Sequence, residues 1–289
     1  MYTGLIPHAI GIKGRSLPES IALAAETGFQ SVTFDVREAA ALADEHGVDH
    51  VRALFADRDI QPAGWSVPVA WRDDTQRDTQ LKELPKLAAL AVELGCPRAL
   101  SGVTFGSNEM EYDELFAWTV ERLRPLAESL RAEGAQIGLE FIGPKTLRSR
   151  FKYEGIYTLQ QTLDLARAVG TGNVGTLFDV WHLYTSGGSV DEIDALTPSD
   201  VVLVHVNDAP AGIPIDEQID NVRTLPMETG VIDVPEMLRR LDAIGYEGPV
   251  CPEPFSRRVD DRAATDPDGA ARETAESMRR LWQAAGFTS

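Results

Sequence analysis

The chain has 289 residues, 43% hydrophobic and 25% charged, ordinary proportions for a globular protein with material for a substantial core. Its formal net charge of −18 opposes phosphate backbones, so nucleic acid is not an expected partner. No apolar run is long enough to span a bilayer, and no basic segment precedes an apolar stretch near residue 1, so a membrane location is excluded and a cytoplasmic one expected. Two cysteines, Cys96 and Cys251, sit in unrelated apolar contexts and read as reduced, buried thiols.

In chain order, short apolar runs alternate with longer amphipathic ones. TGLIPHAI predicts a first strand ending near His8, followed by a helix from Pro18 to Thr27 and the helix-end glycine Gly28. SVTFD then ends at Asp35, IQPAGWSV carries Trp65, and PRALSGV ends near Ser101. QIGLEF carries Glu140, NVGTLFD ends at Asp179, DVVLVHVND carries His205, Asn207 and Asp208, and GPVCPEPF carries Glu253. Helices are predicted for Leu81 to Leu94, Tyr112 to Glu133, Leu159 to Val169 and Pro235 to Ile244, several of them stopped by a glycine.

Each gap between strand ends fits one crossover helix with its loops. Strands that alternate with helices imply a parallel sheet. Eight such units over this length predict an α/β fold in which residues 1–289 form a single (β/α)8 TIM barrel. A doubly wound open sheet is disfavoured, because IGIKGRS after the first strand is not the glycine fingerprint of that fold. The stretch from Pro210 to Thr229 reads as a long loop after strand 7, a size that usually carries function.

In such barrels catalytic groups sit at the C-terminal strand ends. Four metal-ligand residue types occupy those ends on consecutive strands: Glu140, Asp179, His205 and Glu253. Alone, each reads as a helix cap, an ion-pair partner or a satisfied core residue. Together they place three carboxylates at the edge of an apolar core, which is costly unless a cation compensates them. Three oxygen ligands and one imidazole suit Mn²⁺ first, with Mg²⁺, Co²⁺ and Zn²⁺ also compatible. His182, three residues beyond Asp179, is placed to reach whatever that cation holds. His8 faces the same mouth, either as a pocket residue or as packing. His46 and His50 read as solvent-facing. Lys145, Arg148 and Lys152 read as a solvated loop, so a phosphorylated substrate is not predicted.

The segments GLEFIGP, FDVWH, HVNDAP, NVRTLPMETGVID and CPEPF resemble those of the xylose-isomerase-like TIM barrels, the sugar-phosphate isomerase and epimerase superfamily. Within it the chain looks most like inosose (keto-inositol) isomerases. The resemblance implies a metal held by Glu140, Asp179, His205 and Glu253, with His182 and Arg223 on substrate oxygens. It implies a divalent-metal-dependent isomerase or epimerase of a polyhydroxy ketone, a keto-sugar or keto-inositol. A proton would pass through an enediolate between Glu140 and Glu253, one removing it and the other returning one. Trp65 and Trp181 stand either as an apolar wall for a ring or as core. Relatives are often dimers or tetramers, so a homo-oligomer is implied. In one place this chain departs from them: Pro226-Met227-Glu228-Thr229-Gly230 stands where relatives often carry Pro-Gly-x-Gly.

Three rivals accompany that reading. A lyase on the same barrel would expel a β-substituent, as a keto-inositol dehydratase or keto-glycoside eliminase. An endonuclease of the same barrel class would need histidine ligands on strands 2 and 3, where this chain has Asp35 and Trp65. A non-catalytic sugar-binding barrel would not need both glutamates.

Overall fold

In the computed structural model, which describes residues 1–287, eight parallel strands close into a ring. They are strand 1 (Tyr2–Leu5), strand 2 (Ser31–Val32), strand 3 (Gln61–Pro62 and Trp65–Ser66), strand 4 (Arg98–Gly102), strand 5 (Gln136–Glu140), strand 6 (Val174–Asp179), strand 7 (Val201–Val206) and strand 8 (Pro249–Pro252). Each pairs in parallel with the next in chain order, and strand 8 pairs with strand 1. Closure passes through the two pieces of strand 3. The first pairs with strand 2 and the second with strand 4. Between them, the Ala63 N–H donates to Val32 O (2.9 Å) and Gly64 O accepts from the Phe34 N–H (3.1 Å), so the ladder continues through the gap.

The helices wrap the outside, at Leu17–Thr27, Val36–His46, Val48–Ala56, Arg77–Glu93, Tyr112–Ala132, Leu159–Val169, Val234–Ala243 and Pro267–Ala285 among others. Their starts follow ordinary capping chemistry. Ser16 with Glu19, and Thr158 with Gln161, form capping boxes. The apolar faces of these helices and the outward faces of the strands share one large core. A second, smaller cluster includes Leu100, Leu177, Leu203 and Cys251. Successive strand residues point to opposite faces, so residues two apart share one. Leu177, Leu203 and Cys251 each lie two residues before Asp179, His205 and Glu253. That cluster is therefore the apolar floor on which three of the expected ligands stand.

Several boundaries differ from expectation. Strand 1 stops at Leu5, because Pro7 has no N–H for the ladder, and His8 lies in a short 3₁₀ turn, Pro7–Ile10. Strand 2 stops at Val32, and Asp35 caps the next helix instead of ending a strand. Glu253 follows strand 8, its N–H still donating to Val206 O at 2.9 Å. An antiparallel pair, Gly106–Ser107 with Tyr153–Glu154, was not expected at all. Cys96 and Cys251 are free and buried, and burial pushes the Cys96 thiol up to about 11. Among the described residues no helix is long and apolar enough to cross a membrane.

Candidate metal centre

Register brings the four ligand candidates together. His205 lies directly beside Asp179 on one side and Cys251 on the other, with Glu253 two residues further along. Glu140 closes strand 5 in register with Gly102. One atom from each of Glu140, Asp179, His205 and Glu253 lies within 4.8 Å of the others.

The cluster's open valences face inward. His205 Nδ1 is 3.3 Å from Oε1 of both Glu140 and Glu253. Neither approach has hydrogen-bond alignment, so both His205 ring nitrogens and Glu140 Oε1 are buried without a hydrogen-bond partner. Buried polar atoms are rarely left so. A divalent cation is a partner that takes Glu140 Oε1 and one His205 nitrogen together, and the donor set of three carboxylates and one imidazole fits one.

Asp179 is fully buried and multiply held. Its Oδ1 accepts from the Trp181 N–H (2.8 Å) and the Asn207 amide (3.0 Å), and its Oδ2 from Arg223 Nη1 (2.7 Å). The same Arg223 Nη1 donates to Glu253 Oε2 at 2.9 Å, and its Nη2 to Asp220 at 2.8 Å. The guanidinium lies 5.3 Å from the ring centres of both Trp181 and Phe255. Phe255 has φ +38, an uncommon left-handed value for a bulky residue, beside the cluster.

The electrostatics follow from this packing. Burial alone would raise Asp179, but Arg223, with His182 and His205, outweighs it and holds the carboxyl at about 2. Burial, then the neighbouring charge of Glu253, pushes Glu140 up. Burial alone would lower His205, but Glu253 and Glu140 outweigh it and push the imidazole up to about 10. Arg223 stays protonated, since Asp179, Glu253 and Asp220 outweigh its desolvation.

His182 is also buried, and its Nδ1 accepts the Gly143 N–H at 3.2 Å. A ring nitrogen that accepts a backbone N–H carries no proton, so the proton sits on Nε2. Gly143 has to be glycine there, since a Cβ would strike the His182 carbonyl and Thr185. Nε2 faces Arg223 Nη2 at 3.3 Å, two donors toward one another.

A cavity of about 630 Å³ opens above the cluster. Glu140, His205 and Glu253 border it at one end, and His8 at its mouth. Desolvation at that mouth lowers His8, ahead of the opposing pull of Glu253. Arg223 and His182 do not border the cavity; they meet the ligand carboxylates instead. Trp65 borders it but is fully buried, its indole N–H donated to Cys96 O at 3.2 Å, so it packs rather than presenting a ring face. Trp181 is fully buried too. His46 and His50 are exposed, as expected. Lys145 pairs with Asp216 on the surface and the half-buried Arg148 with Glu154, and neither borders the cavity.

Residues given no role from the sequence complete the site. Asn207 bridges Asp179 and the Glu253 carbonyl; its signal was its position two residues past His205, on the same strand face. Asp220 pairs with Arg223 and carried no signal. Asp208, fully buried, accepts five backbone N–H groups: Ala209, Thr229, Gly230, Val231 and Ile232. It ties the end of the Pro210–Thr229 loop, and so Arg223, back to strand 7. Within that loop Met227 has φ +65, the backbone setting that glycine adopts freely.

Fold and site together define a closed parallel (β/α)8 barrel whose C-terminal mouth carries a carboxylate-and-imidazole cluster. The sequence profile described as "Xylose isomerase-like TIM barrel" matches residues 21–281, and the chain belongs to that family. The inosose isomerase of Halalkalibacterium halodurans is 24% identical over 213 residues, covering 73% of this chain and 72% of that protein. A xylose isomerase domain protein from Alicyclobacillus acidocaldarius superposes with a TM-score of 0.86 at 29% identity, covering 99% of both chains. The IOLI protein, whose crystal structure has a bound zinc atom, superposes with a TM-score of 0.80 at 18% identity over 100% of both chains, a likeness of fold.

Proposed function

We propose that this protein is a divalent-metal-dependent isomerase or epimerase of a polyhydroxy ketone, a keto-sugar or keto-inositol. The observation that carries the reading is the cluster of Glu140, Asp179, His205 and Glu253, with unpartnered buried atoms, at the inner end of a cavity. The resemblance to inosose isomerases supports the substrate class.

The four residues would hold the ion, Mn²⁺ first by ligand type. When bound, it supplies Lewis-acid charge for the substrate's oxygens. The chain's own residues do the rest. One of Glu140 and Glu253 takes the proton from the carbon beside the carbonyl. The C–H electrons form the C=C bond of an enediolate, and the carbonyl oxygen takes the negative charge. The other glutamate returns a proton, to the opposite face for epimerisation or to the former carbonyl carbon for a carbonyl shift. Burial and the neighbouring charge of Glu253 favour the protonated form of Glu140, which suits a group that passes a proton. Arg223 acts from beside the carboxylates, fixing Asp179 and Glu253, with His182 Nε2 3.9 Å from Asp179. His8, on the turn after strand 1, would meet the substrate at the mouth.

The test is exchange of substrate C–H for deuterium in D₂O, followed by NMR over keto-inositols and ketohexoses, with metal content measured in parallel. Deuterium in an isomerised product is expected, abolished by chelation and lowered roughly 10²–10⁴-fold in Glu253→Gln. An enone-like chromophore would convert the reading to a lyase. No exchange in a protein shown to hold metal would end it.

A further inference from the structure

The metal centre uses only the second half of the loop after strand 7, where Arg223 meets the carboxylates and Asp208 gathers the N–H groups of Thr229 to Ile232. The first half turns outward. Among the described residues, the large hydrophobic side chains that stand exposed are Ile213, Ile215, Ile219 and Val222, all from this one loop. Ile219 is 53% exposed and Val222 50%. Exposed hydrophobics scattered singly need no explanation, but a group of them rimmed by polar residues marks a contact surface.

The group is held in place. Gln218 is fully buried beneath it, and its amide donates to Pro210 O at 3.2 Å and to Ile213 O at 3.1 Å. The Gln218 N–H donates to Ile215 O at 3.3 Å, and the Val222 N–H to Ile219 O at 3.1 Å. These bonds gather Ile213, Ile215 and Ile219 around one glutamine, with Val222 a turn further on. The loop after strand 5 braces them: the Thr146 hydroxyl donates to Gln218 O at 2.8 Å, and Lys145 pairs with Asp216. A surface ordered in advance loses little entropy on docking.

Charge selects the occupant. In a chain of net charge −18, residues 145–154 and 210–223 together hold five cations and four acids, so the face they form is nearly balanced. Two copies repel one another less there than across the rest of their surfaces. The charges left over are of both signs. Arg150, whose Nε donates to Thr146 O at 3.2 Å, is exposed and has no ion pair among the described residues, and the same is true of Glu217 on the loop itself. A partner of a single sign would leave one of the two unmatched. A second copy brings both, and a two-fold axis sets each acid against the other copy's cation.

We propose that this face is the two-fold interface of a homodimer: the apolar residues Ile213, Ile215, Ile219 and Val222 of two copies pack together, and Glu217 of each pairs with the partner's Arg150. The interface stands independently of the reaction assigned above.

Sedimentation velocity on the full chain between about 1 and 100 µM tests it, with a dimer expected in that range. Ile215→Asp combined with Ile219→Asp is expected to weaken association at least roughly tenfold, with unchanged circular dichroism because both side chains are exposed. Glu217→Lys alone is expected to weaken it, and Glu217→Lys combined with Arg150→Glu to restore it. A monomer throughout the range overturns the proposal, and binding of that monomer to phosphatidylcholine vesicles would assign the face to a lipid surface instead. A dimer that the two aspartates leave intact overturns it by placing the contact elsewhere. Weakening by Glu217→Lys without rescue by Arg150→Glu overturns the two-fold pairing.

Discussion

Asp35 and Asp179 hold the same local post on opposite sides of the barrel. Each precedes a helix in extended backbone, and each accepts the N–H two residues ahead at 2.8 Å. Both satisfy the bland reading of an acid after a strand, a helix cap. They differ in what surrounds them. Asp35 is exposed at the rim of the cavity. Asp179 is fully buried, with Arg223 and Asn207 on its oxygens and His205 beside it in register. The contrast extends to the two halves of the mouth. Strands 5 to 8 reach four to six residues, stand on the Leu177–Leu203–Cys251 floor and carry all four ligand candidates. On strands 2 and 3 the pieces are two residues each, and their ends form the cavity's wall. A helix cap and a place in a candidate metal cluster are thus compatible for one carboxylate; burial beside other carboxylates is what separates Asp179 from Asp35.

The largest effect expected to sharpen this comparison is Asp179→Ala. It removes a buried partner of Arg223 and should destabilise the metal-free protein by about 3 kcal/mol, read by urea denaturation. A loss no greater than that of Asp35→Ala would break the comparison. Next comes Asp208→Asn. It replaces a buried carboxylate that accepts five N–H groups, and should lower stability by roughly 2–3 kcal/mol and loosen the loop that carries Arg223. Hydrogen exchange at Thr229 to Ile232 would report that loosening, and unchanged protection there would refute it.

The acid-side pH dependence of the metal-free protein should be of similar size or smaller. Asp179 is held at about 2, below its ordinary 3.8, so its contribution is present above about pH 4 and is lost as pH falls through about 2. That shift corresponds to about 2 kcal/mol. His205 is raised from 6.5 to about 10, so its contribution is complete below about pH 6.5 and is lost as pH rises through about 10. Thermal melts across both windows check the signs. Because a histidine ligand must be neutral, metal uptake near neutrality should release about one proton, measured by calorimetry in buffers of different ionisation enthalpy. The smallest effect is Asp35→Ala, expected to lower stability by about 1 kcal/mol through loss of an exposed cap.

Much of this was legible before any coordinates. The alternation of apolar runs with amphipathic ones carried the eightfold order, and the helix Leu159–Val169 matched to the residue, because its cap, periodicity and stop glycine are all local. The runs before Glu140 and Asp179 were long and apolar enough to read as buried strands with a functional end. The short strands were misjudged for the same reason: Pro7 and Pro62 lie in or beside them, and so few residues carry no period. The pairing of Gly106–Ser107 with Tyr153–Glu154, the Thr229 to Ile232 N–H groups on Asp208 and the Arg223–Asp179 contact join residues that no local pattern relates.

By itself, then, the sequence determined the order of strands and helices and the kinds of donor at the strand ends, since both follow from hydrophobic period, capping and residue chemistry within a few positions. Tertiary structure alone decided that Asp179 is buried and Asp35 is not, that Arg223 and His182 meet the carboxylates, that Trp65 is core, and that the cavity extends over strands 1 to 4. Those depend on barrel closure and register, which set burial and distance between residues far apart in the chain.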